Sequence, residues 1–374
     1  MPAPKPASRV AQAAEVLRQE VLSKGPGTRL SSVRELKARL GFSQASLASA
    51  FEQLEREGLI VRRHGSGVYA SAESDQVRVA VVLDPKFLLM ANRSPIWNLI
   101  LKAICKASGE KGWAATVHLG AIWPKVSGYD SLSPEALPSA LIEDLNNHRV
   151  NAAVCIGLSQ GAVNVVTEAG VPVVSLAGYG QGIVQFHHRD LLQQGLQSLK
   201  GKGAAKVYVA ASRLADLENL EEFAQEYGLE AERVLLGEEE PVEQPLESSD
   251  PVHQGWQWAG TLELKPGEAI LSCDDMLTVG ILMALHSRGL VPGRDVLIVS
   301  HSNKGSSTLT GWHQSLTRLE YNPDEISEAL LKLVDQIVTH GSWAEVENHW
   351  PPTEKEPETG ELVYRISPTL IEPD

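Results

Sequence analysis

Cysteine is scarce in this chain. Its 374 residues include three, Cys105, Cys155 and Cys273, far apart and with no C-x-x-C spacing. That excludes a disulfide framework or a thiolate metal cluster. Each cysteine lies in or beside an apolar run, so all three are expected to be buried thiols. Long apolar runs are also missing. None reaches the 18 residues that suggest a membrane span. The opening stretch, MPAPKPASRVAQAAEVL, lacks the apolar centre of a signal peptide. A cytoplasmic protein with no membrane partner is expected.

Positive charge is in short supply too. There are 33 Lys/Arg against 47 Asp/Glu, a formal net charge of -14. The shortage is uneven. Residues 1–75 hold 11 Lys/Arg and 8 Asp/Glu, while the rest hold 22 and 39. A mildly basic head on an acidic body suits one small DNA-binding module and argues against a body that coats nucleic acid. Catalytic signatures are absent as well. There is no G-x-x-x-x-G-K-[ST] loop, no H-E-x-x-H pair, and neither Ser159 nor Ser175 sits in a G-x-S-x-G elbow. His187 and His188 stand beside Asp190, but adjacent histidines usually point different ways and no metal motif frames them. No enzyme activity, cofactor or metal is expected.

A hydrophobic fraction of 43% and a charged fraction of 21% fit a soluble globular chain. Its length calls for two or three domains. The division is expected at residues 1–75 and 76–374. In the first part, Val10, Ala14, Leu17 and Val21 recur at helical spacing, and Gly25-Pro26-Gly27 ends that helix. Ser31 and Ser32 then offer an N-cap, with Glu35 at the capping-box distance from Ser32. Val33, Leu36 and Leu40 form the buried face of a second helix, and Gly41 supplies the turn. Ser43 caps a third helix that packs through Leu47, Ala50, Phe51 and Leu54. Its outer N-terminal face carries Gln44, Ala45, Ser46, Ala48 and Ser49. A strand at 59–61, the basic tip Arg62-Arg63-His64-Gly65-Ser66-Gly67 and a strand at 68–70 form a wing. The order is a winged helix-turn-helix. The third helix would enter a major groove, while Arg62, Arg63 and His64, between turns permitted by Gly65 and Gly67, would meet phosphates or a minor groove.

This head resembles the GntR family over about 60 residues. Leu30, Ser32, Arg34, Leu36, Leu40, Ser43, Ala50, Leu54, Glu57, Gly58, Leu59, Ile60, Gly65 and Gly67 match the family pattern. The resemblance implies that Arg34 holds a backbone phosphate and that the third helix reads bases. The family usually carries Arg where this chain has Gln44 and Ala48. Gln44 can pair with adenine, and Ala48 can touch only a thymine methyl. A double-stranded operator outside the family's usual one is therefore expected.

The remainder alternates valine-rich strands at 76–83, 152–157, 171–176, 206–210, 269–272 and 295–300 with helical stretches at 96–111, 189–201 and 276–289. That is an α/β pattern of parallel sheets covered on both faces, too long for one sheet, so two lobes are expected. Residues 237–258 read as an acidic surface loop and 351–358 as an exposed turn. Asp275, Gly280, Ala284, Leu285, Gly289, Pro292, Asp295 and Val296, with Gly170-Val171-Pro172-Val173-Val174, resemble the effector domain of LacI/GalR regulators. That domain is periplasmic-binding-protein-like. The resemblance implies a sugar or other polar metabolite in a cleft at the strand ends, homodimer formation, and repression as the output. It makes Asp275 an acceptor for ligand hydroxyls, although a helix N-cap is the alternative for that residue. The loop after the first strand offers Asn92, Arg93 and Trp97, the last equally a packing residue. Three family cleft positions have changed chemistry here: His187, Asn219 and Ser302 stand where the family has Asp, Arg and Asp.

Overall fold

The computed structural model describes residues 9–24, 27–63, 66–71, 76–89, 94–121, 132–236, 250–340, 354–355 and 362–373. The head is built from α1 (Arg9–Lys24), α2 (Val33–Leu40) and α3 (Gln44–Arg56), followed by the hairpin of β1 (Ile60–Arg63) and β2 (Gly67–Ala70). Its core unites Leu17, Leu36, Leu47, Phe51, Leu54 and Ile60, all buried. All but Ile60, which opens β1, are positions that the helical spacing points inward.

The first lobe begins with β3 (Arg78–Leu83), α4 (Lys86–Leu89), α5 (Ile96–Glu110) and β4 (Ala114–Leu119). It continues with α6 (Ser139–Asn146), β5 (Ala152–Ile156), α7 (Gln160–Glu168), β6 (Val173–Leu176) and β7 (Gly182–Phe186). The chain then crosses into a second lobe of α8 (His188–Gly201), β8 (Lys206–Ala211), α9 (Leu220–Tyr227), β9 (Glu230–Leu235), α10 (Pro251–Thr261), β10 (Glu268–Ser272), α11 (Asp275–Ser287), β11 (Leu297–Asn303) and β12 (Thr317–Tyr321). A second crossing returns it through α12 (Pro323–His340), β13 (Glu354–Lys355) and β14 (Leu362–Ile366). A third takes it back to β15 (Thr369–Ile371).

The first sheet has seven strands in the order β13-β14-β7-β6-β5-β3-β4, and the second has six in the order β15-β12-β11-β10-β8-β9. Every pairing is parallel except the late ones of β13 with β14 and β15 with β12. Strands β5 and β6 are buried at every position, and apart from Ser175, whose hydroxyl donates to Tyr179 O, their spelling is apolar, as helices covering both faces require. The crossings run side by side: His187 donates its N–H to Ile366 O, and Gln194 donates to Pro368 O.

Two expectations are corrected. Cys105 is exposed, because it lies on the outer face of α5 opposite Ile96, Ile100 and Ile104. Cys155 is buried and Cys273 half-buried, and all three thiols are free. The expected loop at 237–258 is in its later part the helix α10. Asp250 caps it, accepting from Val252 N, and Pro251 occupies the first turn, where its missing N–H costs nothing. The earlier part of that segment, and most of 351–358, lie outside the described residues. Among the described residues no helix is long and apolar enough to cross a membrane.

Candidate functional site

In the head, local chemistry sets the reading helix. Ser32 accepts from Glu35 N and its own N–H donates to Glu35 Oε2 at 2.7 Å, a complete capping box on α2. Gly41 stands at φ 68°, a left-handed conformation cheap for glycine, and closes α2 by donating to Lys37 O. Ser43 accepts from Ser46 N at 3.0 Å and starts α3. The hydroxyls of Ser32 and Ser43 thus serve as caps. Gln44, Ala45 and Ala48 are exposed on α3 and Ser46 is half-exposed, while Leu47, Ala50, Phe51 and Leu54 face the core. Arg34 is exposed in the first turn of α2.

Cations around the wing differ in what already holds them. Arg62 pairs with Glu55 at 3.0 Å, and Arg63 lies over the Tyr69 ring at 4.6 Å. Arg39 is bound to Glu20, 2.8 Å away. Burial works against the charge on Glu20, but donors from Ser31, Lys24 and Arg39 hold its carboxyl down at about 2. Gly67 has φ 122° and would place a Cβ 2.9 Å from Arg29 Nε. Arg29, missed in the sequence reading, is exposed and pairs as a bridge with Tyr69, so the chain at 28–30 extends the wing. Its one sequence signal is its place just before Leu30. His64 and Gly65 lie outside the described residues.

At the strand ends of the second lobe, Asp274 and Asp275 divide two roles. Asp274 is the N-cap of α11, accepting from Met276 N at 2.8 Å and Leu277 N at 3.1 Å. Asp275 occupies the next position, 2% exposed, and accepts from Asn303 Nδ2 at 3.1 Å. Burial, then the neighbouring Asp274 charge, push its carboxyl up to about 7. Asp275 and Ser302 line one cavity of about 50 Å³ with Asn303, Arg318 and Glu320. Ser302 Oγ, Asn303 Oδ1 and Arg318 Nε are buried there without a hydrogen-bond partner among the described residues. Such atoms are costly unless something meets them. The cavity suits one or two hydroxyls or waters, given roughly 30 Å³ per water.

An aromatic row links the two lobes. Phe87 and Trp97 have centroids 4.3 Å apart, Trp97 meets Phe186 edge-on at 6.2 Å, and Phe186 meets Tyr321 at 5.0 Å. The row runs from the first lobe into the second and ends at His301. Beside it, Arg213 holds the buried Asp216 in a two-pronged pair at 2.7 and 3.1 Å, and His188 Nδ1 lies 3.4 Å from the same carboxylate. Burial, helped by nearby His188, pulls His301 down to about 4, and burial raises the Tyr321 hydroxyl. Sequence reading missed Arg213, Asp216, His301 and Tyr321 and set His188 aside, because separate elements bring them together and no spacing announces them.

Of the cleft candidates, Asp275 and Ser302 converge, and Trp97 sits in the aromatic row. His187 faces Ser367 across the crossing, its Nδ1 3.2 Å from Oγ. Asn219 is exposed at φ 61° and donates to Glu222. Neither lines the Asp275 cavity. Asn92 and Arg93 lie outside the described residues. No set of three or more His, Cys, Asp or Glu among the described residues is placed to hold a metal.

Comparison with known proteins adds two family matches. Residues 9–70 match the model for bacterial regulatory proteins of the gntR family, and residues 197–367 match that for a periplasmic binding protein-like domain. No curated protein sequence matches the chain. Among solved structures, the lac repressor dimer bound to operator and the anti-inducer ONPF shares 15% identity, covers 80% of this chain and 94% of its own, and gives a TM-score of 0.55. A LacI family regulator from Arthrobacter sp. FB24 in complex with lactose shares 14%, covers 79% and 98%, and gives 0.54. The trehalose repressor from Escherichia coli shares 14%, covers 79% and 99%, and gives 0.52. The body therefore has the fold of LacI-family repressors.

Proposed function

We propose that this chain, a GntR-type DNA-binding head joined to a periplasmic-binding-protein-like body, is a ligand-responsive transcription regulator. It acts as a repressor of carbohydrate or related metabolic genes. The observation that carries this reading is the pairing, in one chain, of a capped helix-turn-helix and wing with a two-lobed body. Two chains pair through their bodies and set two heads on half-sites of a palindromic operator. Gln44 and Ala48 on the exposed face of α3 touch bases, and Arg34 with the wing arginines holds phosphates.

The ligand enters between the lobes. Asp275, Ser302, Asn303 and Arg318 meet its polar groups, and the aromatic row offers Trp97 as a stacking face. Better binding to one lobe arrangement than the other shifts the population of head positions and so the operator affinity. The lac and trehalose repressors and the lactose complex support a sugar. A second reading, a different polar metabolite, is favoured by the buried Arg318 beside Ser302, since the family's acidic partner is missing there. The head and body divide between residues 75 and 76.

The test is a genomic-fragment binding selection with the full chain. Enrichment of a palindrome is the expected result. A fragment pool with no shared palindrome would leave a ligand-binding protein that has lost DNA reading.

A further inference from the structure

The reading helix does not end in solvent. α3 stops at Arg56, and its last carbonyls carry the partial negative charge of a helix C-terminus. Two arginines of the first lobe meet them. Arg149 Nε donates to Arg56 O at 2.9 Å, and Arg78 Nη1 donates to Glu57 O at 3.0 Å. They come from separate segments, Arg78 opening β3 and Arg149 preceding β5. Arg149 is itself held 3.4 Å from Asp144, on α6. Gly58, at φ 71°, makes the approach possible, since a Cβ there would lie 3.2 Å from the Arg78 guanidinium. From the other side Arg18 on α1 grips the buried Glu57 carboxylate at 2.6 and 3.1 Å. The end of the reading helix is therefore tied both to its own head and to the ligand-binding body.

We infer that Arg78 and Arg149 form a clamp that makes the head a rigid extension of the first lobe, so that lobe movement re-aims the reading helix directly. The clamp rests on the regulator reading for its purpose but not for its geometry. β3 is the connecting rod. Its first residue holds α3, and its last, Leu83, leads within four residues to Phe87 of the aromatic row. Six residues of strand span roughly 17 Å, at about 3.3 Å per step. All five after Arg78 are buried, so the rod is packed along its length and passes on a displacement rather than absorbing it. A helix end held by two charge-assisted bonds from different segments resists both tilt and rotation, which a flexible linker alone does not.

The clamp is tested by pulsed-EPR distances in the full chain, with spin labels at Glu52→Cys on α3 and Glu168→Cys on α7 in a Cys105→Ser background, the labelled chain being diluted into an excess of unlabelled chain so that each distance is read within one chain. The unmodified clamp gives one narrow distance. Arg78→Ala/Arg149→Ala broadens it while circular dichroism and the body's melting transition stay unchanged. Arg78→Lys/Arg149→Lys, which keeps the charge but loses the planar fork, gives an intermediate width. A broad distribution with both arginines present overturns the clamp, and so does an unchanged narrow one in the double alanine variant. Failure of the regulator reading shows separately, as a missing palindrome with the narrow distance intact.

Discussion

Asp275 places a carboxylate where ionisation is costly: 2% exposed, next to Asp274, with Asn303 as its side-chain donor. Its folded value of about 7 exceeds the ordinary 3.8. Between about pH 4 and pH 7 the folded protein therefore keeps a proton that the unfolded chain has released. The resulting stabilisation is complete below the unfolded value and is lost as pH rises through 7. Asn at this position accepts from Asn303 without ever ionising. Asp275→Asn should thus melt close to the original protein near pH 4 and increasingly above it towards pH 8, by a few kcal/mol at about 1.4 per pH unit. Thermal unfolding across that range decides it, and an equal offset at both ends would show that Asp275 does not hold the proton. The two roles open to Asp275 in the sequence were ligand acceptor or N-cap. The cap fell to Asp274, because only the residue with extended φ/ψ before the first helical turn can turn its side chain back to Met276 N and Leu277 N. Two adjacent aspartates spell the same in sequence, and backbone geometry alone separates them.

At the level of elements, α10 and α11 cross backbone to backbone. A Cβ on Gly280 would lie 1.9 Å from Val252 O, and one on Gly255 would lie 2.2 Å from Leu277 O, so each helix needs the other's glycine. Glycine to alanine inside a helix ordinarily gains up to about 1 kcal/mol. Here the overlap is with backbone that cannot step aside, and the cost of overpacking, about 1–3 kcal/mol or more, wins. Gly280→Ala should lower the denaturation midpoint. Gly109→Ala in α5, where nothing lies within 4 Å of the new Cβ, should raise it slightly. Two shifts of the same sign would mean that the crossing is looser than the structure shows. Gly280 was legible in sequence as a family position, but its partner helix was not. The Pro-rich acidic lead into α10 hides its start, and Asp250-Pro251 signals an N-cap only once a helix is known to follow. The capping box, the Gly41 turn and the valine-rich strands were legible because each depends on neighbours in sequence. The arginine clamp was not, since a guanidinium bonded to a distant backbone carbonyl leaves no spacing to read.

For the whole molecule, charge divides as the architecture does, with +3 on residues 1–75 and -17 on the rest. Attraction to DNA then resides in the head, and the body repels it, so non-specific binding should be weak and steeply salt-dependent. Within the head the cations are not equivalent. Arg39 is committed to Glu20 and Arg18 to Glu57, whereas Arg34 stands exposed on α2 at a position the gntR match covers. Each phosphate neutralised contributes about 0.9 to the slope of log affinity against log salt. Arg34→Ala should weaken binding to the selected palindrome and flatten that slope by about one for each head engaged. Two heads on one operator predict a change of about two on the palindrome and about one on a half-site fragment, so the measurement counts heads as it tests the residue. Asp275→Asn, remote from the head, should leave the slope where it was. An unchanged slope in Arg34→Ala removes the phosphate contact, while equal changes on palindrome and half-site leave a single head doing the binding.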